Sequence, residues 1–356
     1  MRVEKILVTG ASGFIGSHIV EEALRRGFDV WAAVRKSSSR EYLKDERIHF
    51  VELNLSSQQQ LEQQLGNVQF DYVVHAAGAT KCLHVEDFYR INTEGTKNLV
   101  RALLAVGMPL KRFVFISSLS IMGAIHEQLP YQEIQDTDTP QPNTAYGRSK
   151  LEAERFLDSL SPKLGDDRGM NKDSSDPQPP NLRGLNYVIL RPTGVYGPRE
   201  KDYFLQIQSI GNHMDFAVGF QRQDITFIYV TDVVQAVFLA MEKGETGHKY
   251  MLSDGEVYQS ATFSDYVHEE LGRPWWIRVT APIWLLRIIT FCGEYWGRWT
   301  KRMTALNNDK FNILRQRNWR CNMEPARREL GFEPEVKLRE GVRRSIAWYK
   351  ENGWIK

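Results

Sequence analysis

Tyr146 and Lys150 lie four residues apart in the segment YGRSKLEAERFL. The amphipathic pattern of this segment predicts a helix, on which residues four apart project from the same face. An unperturbed tyrosine has a pKa of about 10, and a neighbouring ammonium stabilises the phenolate and lowers that pKa towards neutral pH. The pair also occurs by chance at protein surfaces, but here a strand ending at Ser117 and Ser118 precedes it. That order favours a tyrosine that acts as a general acid or base.

Three glycines, Gly10, Gly13 and Gly16, follow the first strand-like run in TGASGFIG, and the helical pattern SHIVEEALRRG comes next. Glycines let the backbone turn sharply and approach a pyrophosphate, which then lies at the positive end of the helix dipole. A tight turn with close helix packing would also use three glycines, but the order of strand, turn and helix favours dinucleotide binding. The predicted cofactor contacts in this turn are Gly10, Ser12, Gly13, Phe14, Ile15 and Gly16.

The elements that must position these residues alternate between short β-rich runs and longer amphipathic ones. This rhythm predicts an α/β fold with a doubly wound parallel sheet of the Rossmann type, because nearly continuous apolar strands need helices on both faces. Five strands are predicted in the first half, a sixth at 186–191 and a seventh at 248–253. A smaller, mainly helical C-terminal lobe is expected to bind substrate, and an amphipathic run at 338–350 predicts a closing helix.

The predicted division of the chain is a dinucleotide-binding domain at 1–192, to which segment 226–253 returns, and a substrate-binding lobe at 193–356. Residues 161–185 are rich in Pro, Asp, Ser and Gly, which predicts a surface loop to which we assign no chemistry.

Composition excludes several classes of protein. A formal charge of +2, from 46 basic and 44 acidic residues, offers no broad field for nucleic acid. Three cysteines without close pairing argue against a disulfide framework and favour a cytoplasmic protein, as does the absence of a signal-peptide pattern at the N-terminus. The most apolar late stretch, 283–292, is too short to span a membrane. No metal site is predicted, because the histidines lack ligand spacing and His75 fits a core position.

Five motifs occur in one order along the chain: TGASGFIG, HAAG at 75–78, ISSLS at 116–120, YGRSK at 146–150 and RPTGVYGP at 191–198. Together they resemble the extended short-chain dehydrogenase/reductase family, within the NAD-dependent epimerase/dehydratase superfamily, over nearly the whole chain. The resemblance implies that hydride passes between nicotinamide and substrate carbon in an alcohol/ketone interconversion. Tyr146 would transfer the hydroxyl proton, Lys150 would also bind the nicotinamide ribose, and Ser118 would hydrogen-bond the substrate oxygen.

The resemblance also implies further cofactor contacts and a homodimer formed through two helices. Small residues that let the backbone pass under the ribose and pyrophosphate are expected at Ala76, Ala77 and Gly78, for which strand packing is the alternative. Contacts with the cofactor are further expected at Ile116, Pro192 and Val195. Structural roles are expected for Arg191 and Asp232. Asn92 matches an asparagine of the family, and a structural or helix-capping role is an equal alternative for it.

The preferred cofactor depends on the residue after the second strand. A dinucleotide fold usually places an acidic residue there for the ribose hydroxyl of NAD, but this chain has Arg35 in VRKSSSR. Its basic and hydroxyl side chains suit the 2′-phosphate of NADP, so NADP is predicted; a solvated loop, with NAD as cofactor, is the alternative. Asn54, beside Leu55, replaces a family aspartate near the adenine, which leaves that contact open.

The substrate class depends on the C-terminal half. Where nucleotide-sugar enzymes usually carry an arginine, this chain has Ile225 and Thr226, although Arg222, Arg278 and Arg287 remain candidates for binding a phosphate. The segments LNNDKFNILRQRNW and ELGFEP resemble the 3β-hydroxysteroid dehydrogenase and dihydroflavonol reductase branch, which implies a hydrophobic ring substrate. Nucleotide-sugar epimerase or dehydratase activity and non-catalytic dinucleotide binding are the alternatives.

The C-terminal half is also rich in aromatic residues. Large aromatics can line an apolar ligand pocket, form the core of a small lobe, or, over 282–302, contact a membrane surface. The residues concerned are Trp275, Trp276, Trp284, Phe291, Tyr295, Trp296 and Trp299.

Overall fold

The computed structural model describes residues 2–160, 184–272, 275–300 and 308–355. Its strands are β1 (Lys5–Thr9), β2 (Asp29–Val34), β3 (His49–Glu52), β4 (Tyr72–His75), β5 (Arg112–Ile116), β6 (Tyr187–Pro192), β7 (Gly194–Tyr196), β8 (Met214–Val218), β9 (Asp224–Ile225), β10 (Phe227–Tyr229), β11 (Lys249–Leu252), β12 (Tyr258–Gln259) and β13 (Ile277–Ala281). Seven of them form one sheet in the order β11-β6-β5-β4-β1-β2-β3, with every neighbouring pair parallel. The predicted strands, including the sixth and the seventh, are confirmed.

The helices of the described residues cover both faces of this sheet and build most of the C-terminal lobe. They are α1 (Phe14–Arg25), α2 (Gln58–Leu65), α3 (Val85–Phe88), α4 (Gly95–Ala105), α5 (Ala145–Leu160), α6 (Asp202–Gly211), α7 (Val230–Lys243), α8 (Thr262–Leu271), α9 (Ile283–Thr300), α10 (Asn308–Arg315) and α11 (Leu338–Glu351). Helix α11 confirms the closing helix. Apart from its last two residues, the predicted surface loop at 161–185 lies outside the described residues.

Alternation along the strands explains why the sheet is covered on both faces. Ile6 and Val8 of β1 belong to one hydrophobic cluster, which includes residues of α1 and α7, whereas Leu7 belongs to a second cluster with residues of α2, α4 and α5. Successive side chains of a strand point to opposite faces, so a continuous apolar run supplies both cores. The doubly wound α/β arrangement is therefore confirmed.

The order of the strands reverses at β1, which has β2 on one side and β4 on the other. In open α/β sheets such a reversal leaves a crevice at the carboxyl ends of the two strands, where ligands bind. Strand β11 returns to the sheet beside β6, while β7–β10, β9–β12 and β8–β13 form separate two-stranded sheets. The described part of the C-terminal lobe is thus mainly helical with small sheets.

Candidate active site

The glycine turn between β1 and α1 admits no larger residue at two positions. Gly10 has a φ of 68°, and a Cβ atom there would lie 2.7 Å from the backbone of Ala76 and Ala77. A Cβ at Gly16 would overlap the carbonyl oxygen of Gly10. The glycines therefore bring the turn against the end of β4, at the crevice where the strand order reverses.

Helix α1 begins directly after this turn without a side-chain cap. Its N-cap residue is Gly13, which has no side chain to accept hydrogen bonds from the first helical N–H groups. Ser12, Phe14 and Ile15 are only partly buried. Unsatisfied N–H groups at the positive end of a helix, next to a backbone without side chains, suit a pyrophosphate. The predicted phosphate-binding residues thus fit a dinucleotide.

The end of β4 is tied to β1 through a buried histidine. His75 Nδ1 lies 2.6 Å from Thr9 Oγ1, and its Nε2 lies 2.9 Å from Thr96 Oγ1. The Thr9 hydroxyl also accepts a hydrogen bond from the Ala77 N–H at 3.3 Å. Burial lowers the pKa of His75 to about 3, so its ring stays neutral. His75 is a core residue that holds the strand end, as its position in the sequence predicted.

Tyr146 stands at the start of α5, and Ser118 follows the end of β5. A hydrogen bond with Ser118 favours the phenolate, but burial has the larger effect and raises the pKa of Tyr146 to about 12. We expected Lys150 to lower this pKa. That expectation is wrong for the protein without ligands, because Ser118 alone lowers it and the lysine ammonium is directed elsewhere. Tyr146 is consequently a protonated phenol at neutral pH.

The Lys150 side chain is buried and donates a hydrogen bond from Nζ to the Ile116 carbonyl oxygen at 2.8 Å. Burial lowers its pKa to about 8, although the charge of Glu154 opposes the shift. A Cβ atom built on Gly78 would lie 3.1 Å from Lys150 Nζ and 3.1 Å from Asn92 Oδ1. The ammonium therefore lies beside the end of β4, where the backbone is predicted to pass under the cofactor.

A buried polar network lies next to Lys150, and sequence reasoning missed its central residue. Glu154 accepts hydrogen bonds from Ser117 Oγ at 2.5 Å and from Arg191 Nη2 at 2.6 Å and Nε at 3.1 Å. The sequence signal that could have identified Glu154 is its spacing, because it lies one helical turn after Lys150 on the same face of α5. Arg191 thus ties β6 to α5, which confirms its predicted structural role.

Asn92 lies in a π-helical segment, Tyr89–Glu94, between α3 and α4. Its Oδ1 accepts a hydrogen bond from the Ala79 N–H at 2.7 Å, and its Nδ2 donates to the Ala79 carbonyl and to Ser149 Oγ, each at 3.0 Å. With these bonds Asn92 fixes the chain after β4 against α5, in a structural role. Asp232 is structural as well, because its carboxylate accepts a hydrogen bond from the Val336 N–H at 3.1 Å.

The N-terminus of α5 is capped by a residue that is distant in sequence. Asp309 of α10 accepts hydrogen bonds from the N–H groups of Ala145 at 2.9 Å and Tyr146 at 3.1 Å. Asn312 of the same helix donates to the Asn143 carbonyl at 2.9 Å. Helix α10 therefore positions the start of α5 from the C-terminal lobe, a role for which the sequence carried no local signal.

The remaining predicted cofactor contacts lie at or shortly after the carboxyl ends of β2, β3 and β6. Arg35 is exposed directly after β2, and its backbone N–H donates to Ser38 Oγ at 3.0 Å. The Asn54 side chain bonds to nearby residues, accepting from Ser56 in its own loop and donating to Gln60 of α2 at 2.7 Å. Leu55 is next to it, with its carbonyl bonded to Asn98, and Pro192 and Val195 lie at the end of β6 and in β7.

Two arginines that could bind a substrate phosphate are already paired with carboxylates. Arg222 donates to Asp224 at 2.8 Å and 3.2 Å. Arg278 donates to Asp215 at 2.6 Å and to Asp265 at 2.7 Å. A diphosphate would therefore have to share each guanidinium with a carboxylate.

Ile225 and Thr226 lie in a closely bonded part of the lobe. The Thr226 side chain is buried, donates to the Trp319 carbonyl at 2.6 Å and lies 2.8 Å from Thr193 Oγ1. Its hydroxyl is therefore engaged within the protein. These contacts provide no cationic group at the position where nucleotide-sugar enzymes usually place an arginine.

The core of the lobe is built from other aromatic residues, among them Tyr196, Phe227 and Phe263, and the described aromatic residues of 275–299 are not part of it. Five are exposed, and the side chains of Trp296 and Trp299 lie outside the described residues. The exposed residues are Trp275, Trp276, Trp284, Phe291 and Tyr295. Within the described ranges, no helix has the length and apolar character needed to cross a bilayer.

Comparison with known proteins agrees with this architecture. A model of the NAD dependent epimerase/dehydratase family matches residues 6–253. UDP-glucose 4-epimerase of Vibrio cholerae is 26% identical over 96% of this chain and 94% of its own. The decarboxylating sterol-4-alpha-carboxylate 3-dehydrogenase of Saccharomyces cerevisiae is 23% identical over 98% and 99%. The structure of dTDP-glucose 4,6-dehydratase from Streptomyces venezuelae with NAD and TYD bound has a TM-score of 0.74 at 20% identity, covering 99% of both chains.

Proposed function

This chain belongs to the NAD-dependent epimerase/dehydratase family, and we propose that it is an NAD(P)-dependent oxidoreductase that interconverts a secondary alcohol and a ketone on a hydrophobic ring substrate. The observation that carries the proposal is the convergence of Ser118, Tyr146 and Lys150, where β5 ends and α5 begins. When bound, the nicotinamide would exchange hydride with the substrate carbon.

The protein's own groups would handle the oxygen of the substrate. The Ser118 hydroxyl holds this oxygen by a hydrogen bond, and Tyr146 gives it a proton in reduction or takes one in oxidation. The phenol of Tyr146 is protonated at neutral pH, as proton donation to a ketone requires, and its hydrogen bond with Ser118 opposes the rise in pKa that burial causes. Lys150, beside Gly78, would bind the nicotinamide ribose.

We further propose that NADP is preferred over NAD. Arg35 is exposed at the carboxyl end of β2, where NAD-specific folds usually place a carboxylate. Replacing Arg35 by Asp is expected to weaken NADP binding by roughly tenfold or more, because a charge-assisted hydrogen bond to phosphate is lost. Calorimetry with both cofactors measures the change, and Lys44→Asp, another exposed cation after β2, is the control. Equal or tighter binding of NAD by the unaltered protein would show that Arg35 is only a solvated residue.

The preference for an apolar substrate is supported by the paired arginines. Burying a diphosphate without cationic partners costs several kcal/mol, whereas a flat ring system gains about 25 cal/mol per Å² of apolar surface buried. Arg222 and Arg278 are each held by carboxylates, and Thr226 is hydrogen-bonded internally. The name of the sterol dehydrogenase relative indicates a ring substrate of this kind. The names of the epimerase and dehydratase relatives indicate nucleotide sugars instead.

Competition binding distinguishes the two substrate classes. The protein, loaded with NADP or NAD, is incubated with hydroxysteroids, flavonoids and UDP, and thermal protection and nicotinamide absorbance are followed. Protection by an apolar ring alcohol, with reduction of the cofactor, is the expected result. Protection by UDP alone would establish the nucleotide-sugar alternative. Tight cofactor binding without turnover on any of these substrates or on UDP-sugars would favour a non-catalytic dinucleotide-binding protein.

A further inference from the structure

Helix α9 exposes an apolar stripe along one face. Trp284, Ile288, Phe291 and Tyr295 are 52% to 73% exposed, and their spacing places them on one side of the helix. Leu286 and Thr290, on the opposite side, are buried. The helix is therefore packed on the protein through one face and presents large apolar side chains on the other.

The small sheet that precedes α9 also exposes apolar side chains. Phe216 of β8 and Val279 of β13 are partners in the ladder, and Ile277 is two residues before Val279, so the three share one face of the sheet. All three are exposed, as is Phe220 in the turn after β8. The Gly219 N–H donates to the Ala281 carbonyl at 2.9 Å, which holds this turn at the start of α9.

We use the term apolar patch for the stripe Trp284, Ile288, Phe291 and Tyr295 together with Phe216, Phe220, Ile277 and Val279. Single exposed apolar residues are normal in soluble proteins, but a group of eight on adjoining elements marks a surface that another phase or molecule covers. The free energy gained on burying apolar surface grows with the area removed from water, so covering eight large side chains is strongly favourable.

Charge favours a lipid surface as the occupant. By sequence, segment 282–302 contains four basic residues and a single acidic one, although the whole chain is nearly balanced at 46 to 44. Arg287 is exposed on α9 next to the stripe. Trp and Tyr concentrate at membrane interfaces, and basic residues add attraction to anionic headgroups.

We propose that the protein docks on anionic bilayers through the apolar patch, with α9 lying in the interface rather than crossing the membrane. Helix α10 packs against α9 and caps α5 at Tyr146 through Asp309. Docking would therefore hold the active site one helix away from the lipid surface. The inference rests on the exposed surface alone and is independent of the substrate that the enzyme takes.

Vesicle flotation tests the proposal with the full-length protein. Vesicles of phosphatidylcholine are compared with vesicles that also contain phosphatidylglycerol, at low and high salt. The unaltered protein is expected to float with the anionic vesicles and less so at high salt. The variant Trp284→Ser/Ile288→Ser/Phe291→Ser is expected to bind the anionic vesicles at least roughly tenfold more weakly, because three apolar side chains that would insert into the bilayer are lost. Val3→Ser/Leu129→Ser replaces exposed apolar residues elsewhere and is expected to float normally.

Two results would overturn the proposal. The first is failure of the unaltered protein to float with either vesicle, or equal flotation of the triple variant. The second is that a protein partner covers the patch. Light scattering without lipid would then show that the unaltered protein is a dimer and the triple variant a monomer, while neither protein binds vesicles. In that case a second copy covers the patch. Circular dichroism confirms that each variant is folded before the comparison is made.

Discussion

Beside Lys150 the protein buries charged and polar groups, whereas along α9 it exposes large apolar ones. Ser117, Lys150, Glu154 and Arg191 are each less than 5% exposed, and each has a hydrogen-bond partner within 3.1 Å. The stripe on α9 has the opposite character, since its side chains are more than half exposed. Both regions depart from the usual arrangement of apolar residues inside and charged residues outside.

The two departures have different physical costs. Burying charges is unfavourable unless they are paired, and the ion pair of Arg191 and Glu154 satisfies this condition within the protein itself. Exposing apolar surface is unfavourable only as long as water covers it, so the cost on α9 ends when another apolar surface is present. The contrast suggests that the buried region serves chemistry and the exposed region serves association, and mutations at the two should have different consequences.

The largest expected effect is on catalysis in the buried region. Tyr146→Phe removes the transferable proton but keeps the ring, so turnover should fall by about two to four orders of magnitude. Cofactor affinity should change little, because the phenol is assigned to the substrate oxygen. Steady-state rates and calorimetric titration of the cofactor measure the two quantities. Turnover close to that of the unaltered protein would show that Tyr146 is not the acid or base. The proposal that the buried region serves chemistry would then lose its main support.

The parts of this site that sequence could predict are those with a local signal. Gly10 and Gly16 could be recognised because only glycine fits the close approach of backbone to backbone, and the seven sheet strands because apolar runs covered on both faces are continuous. Tyr146 and Lys150 were found through helical spacing and motif resemblance.

Other features depend on contacts between distant segments and on burial, neither of which a local pattern specifies. Asp309 caps a helix 163 residues before it. The sequence leaves Arg222 and Arg278 as candidates for binding a phosphate, and folding places carboxylates beside both. The pKa of Tyr146 was expected to fall, and its burial raises it instead.

The next largest effect concerns the pair of Arg191 and Glu154. Arg191→Met leaves the Glu154 carboxylate buried with only the Ser117 hydroxyl as a partner, so the free energy of unfolding should fall by about 3–5 kcal/mol. Chemical denaturation measures this loss. Adding Glu154→Gln removes the unpaired charge and should restore a large part of the stability. If the double variant were no more stable than the single one, loss of packing rather than an unpaired charge would explain the effect.

A smaller effect of opposite sign is expected at Lys150. Its pKa of about 8 in the folded protein is below the unfolded value, so the charged lysine opposes folding below about pH 8, and this cost disappears above about pH 10. Lys150→Met should therefore raise the free energy of unfolding by about 1–2 kcal/mol at pH 7, after loss of the hydrogen bond to Ile116 is subtracted. Chemical denaturation of the variant and the unaltered protein at pH 7 and above about pH 10, without cofactor, measures the difference in their free energies of unfolding. A variant less stable at pH 7 would mean that the ammonium contributes to the fold.

The smallest expected change is on α9, and it tests whether the stripe is in water when the protein is alone. Trp284→Ser/Ile288→Ser/Phe291→Ser should alter the free energy of unfolding by no more than about 0.5 kcal/mol in lipid-free buffer, because exposed side chains lose little when they are replaced. Leu286→Ser, on the buried face of the same helix, should cost about 2–4 kcal/mol, since it removes packed apolar contacts and buries a hydroxyl. Denaturation at several protein concentrations compares the two. A loss from the triple variant as large as that from Leu286→Ser, increasing with protein concentration, would mean that the stripe is covered by a second copy in solution, and the contrast between a buried catalytic region and an exposed docking region would no longer hold.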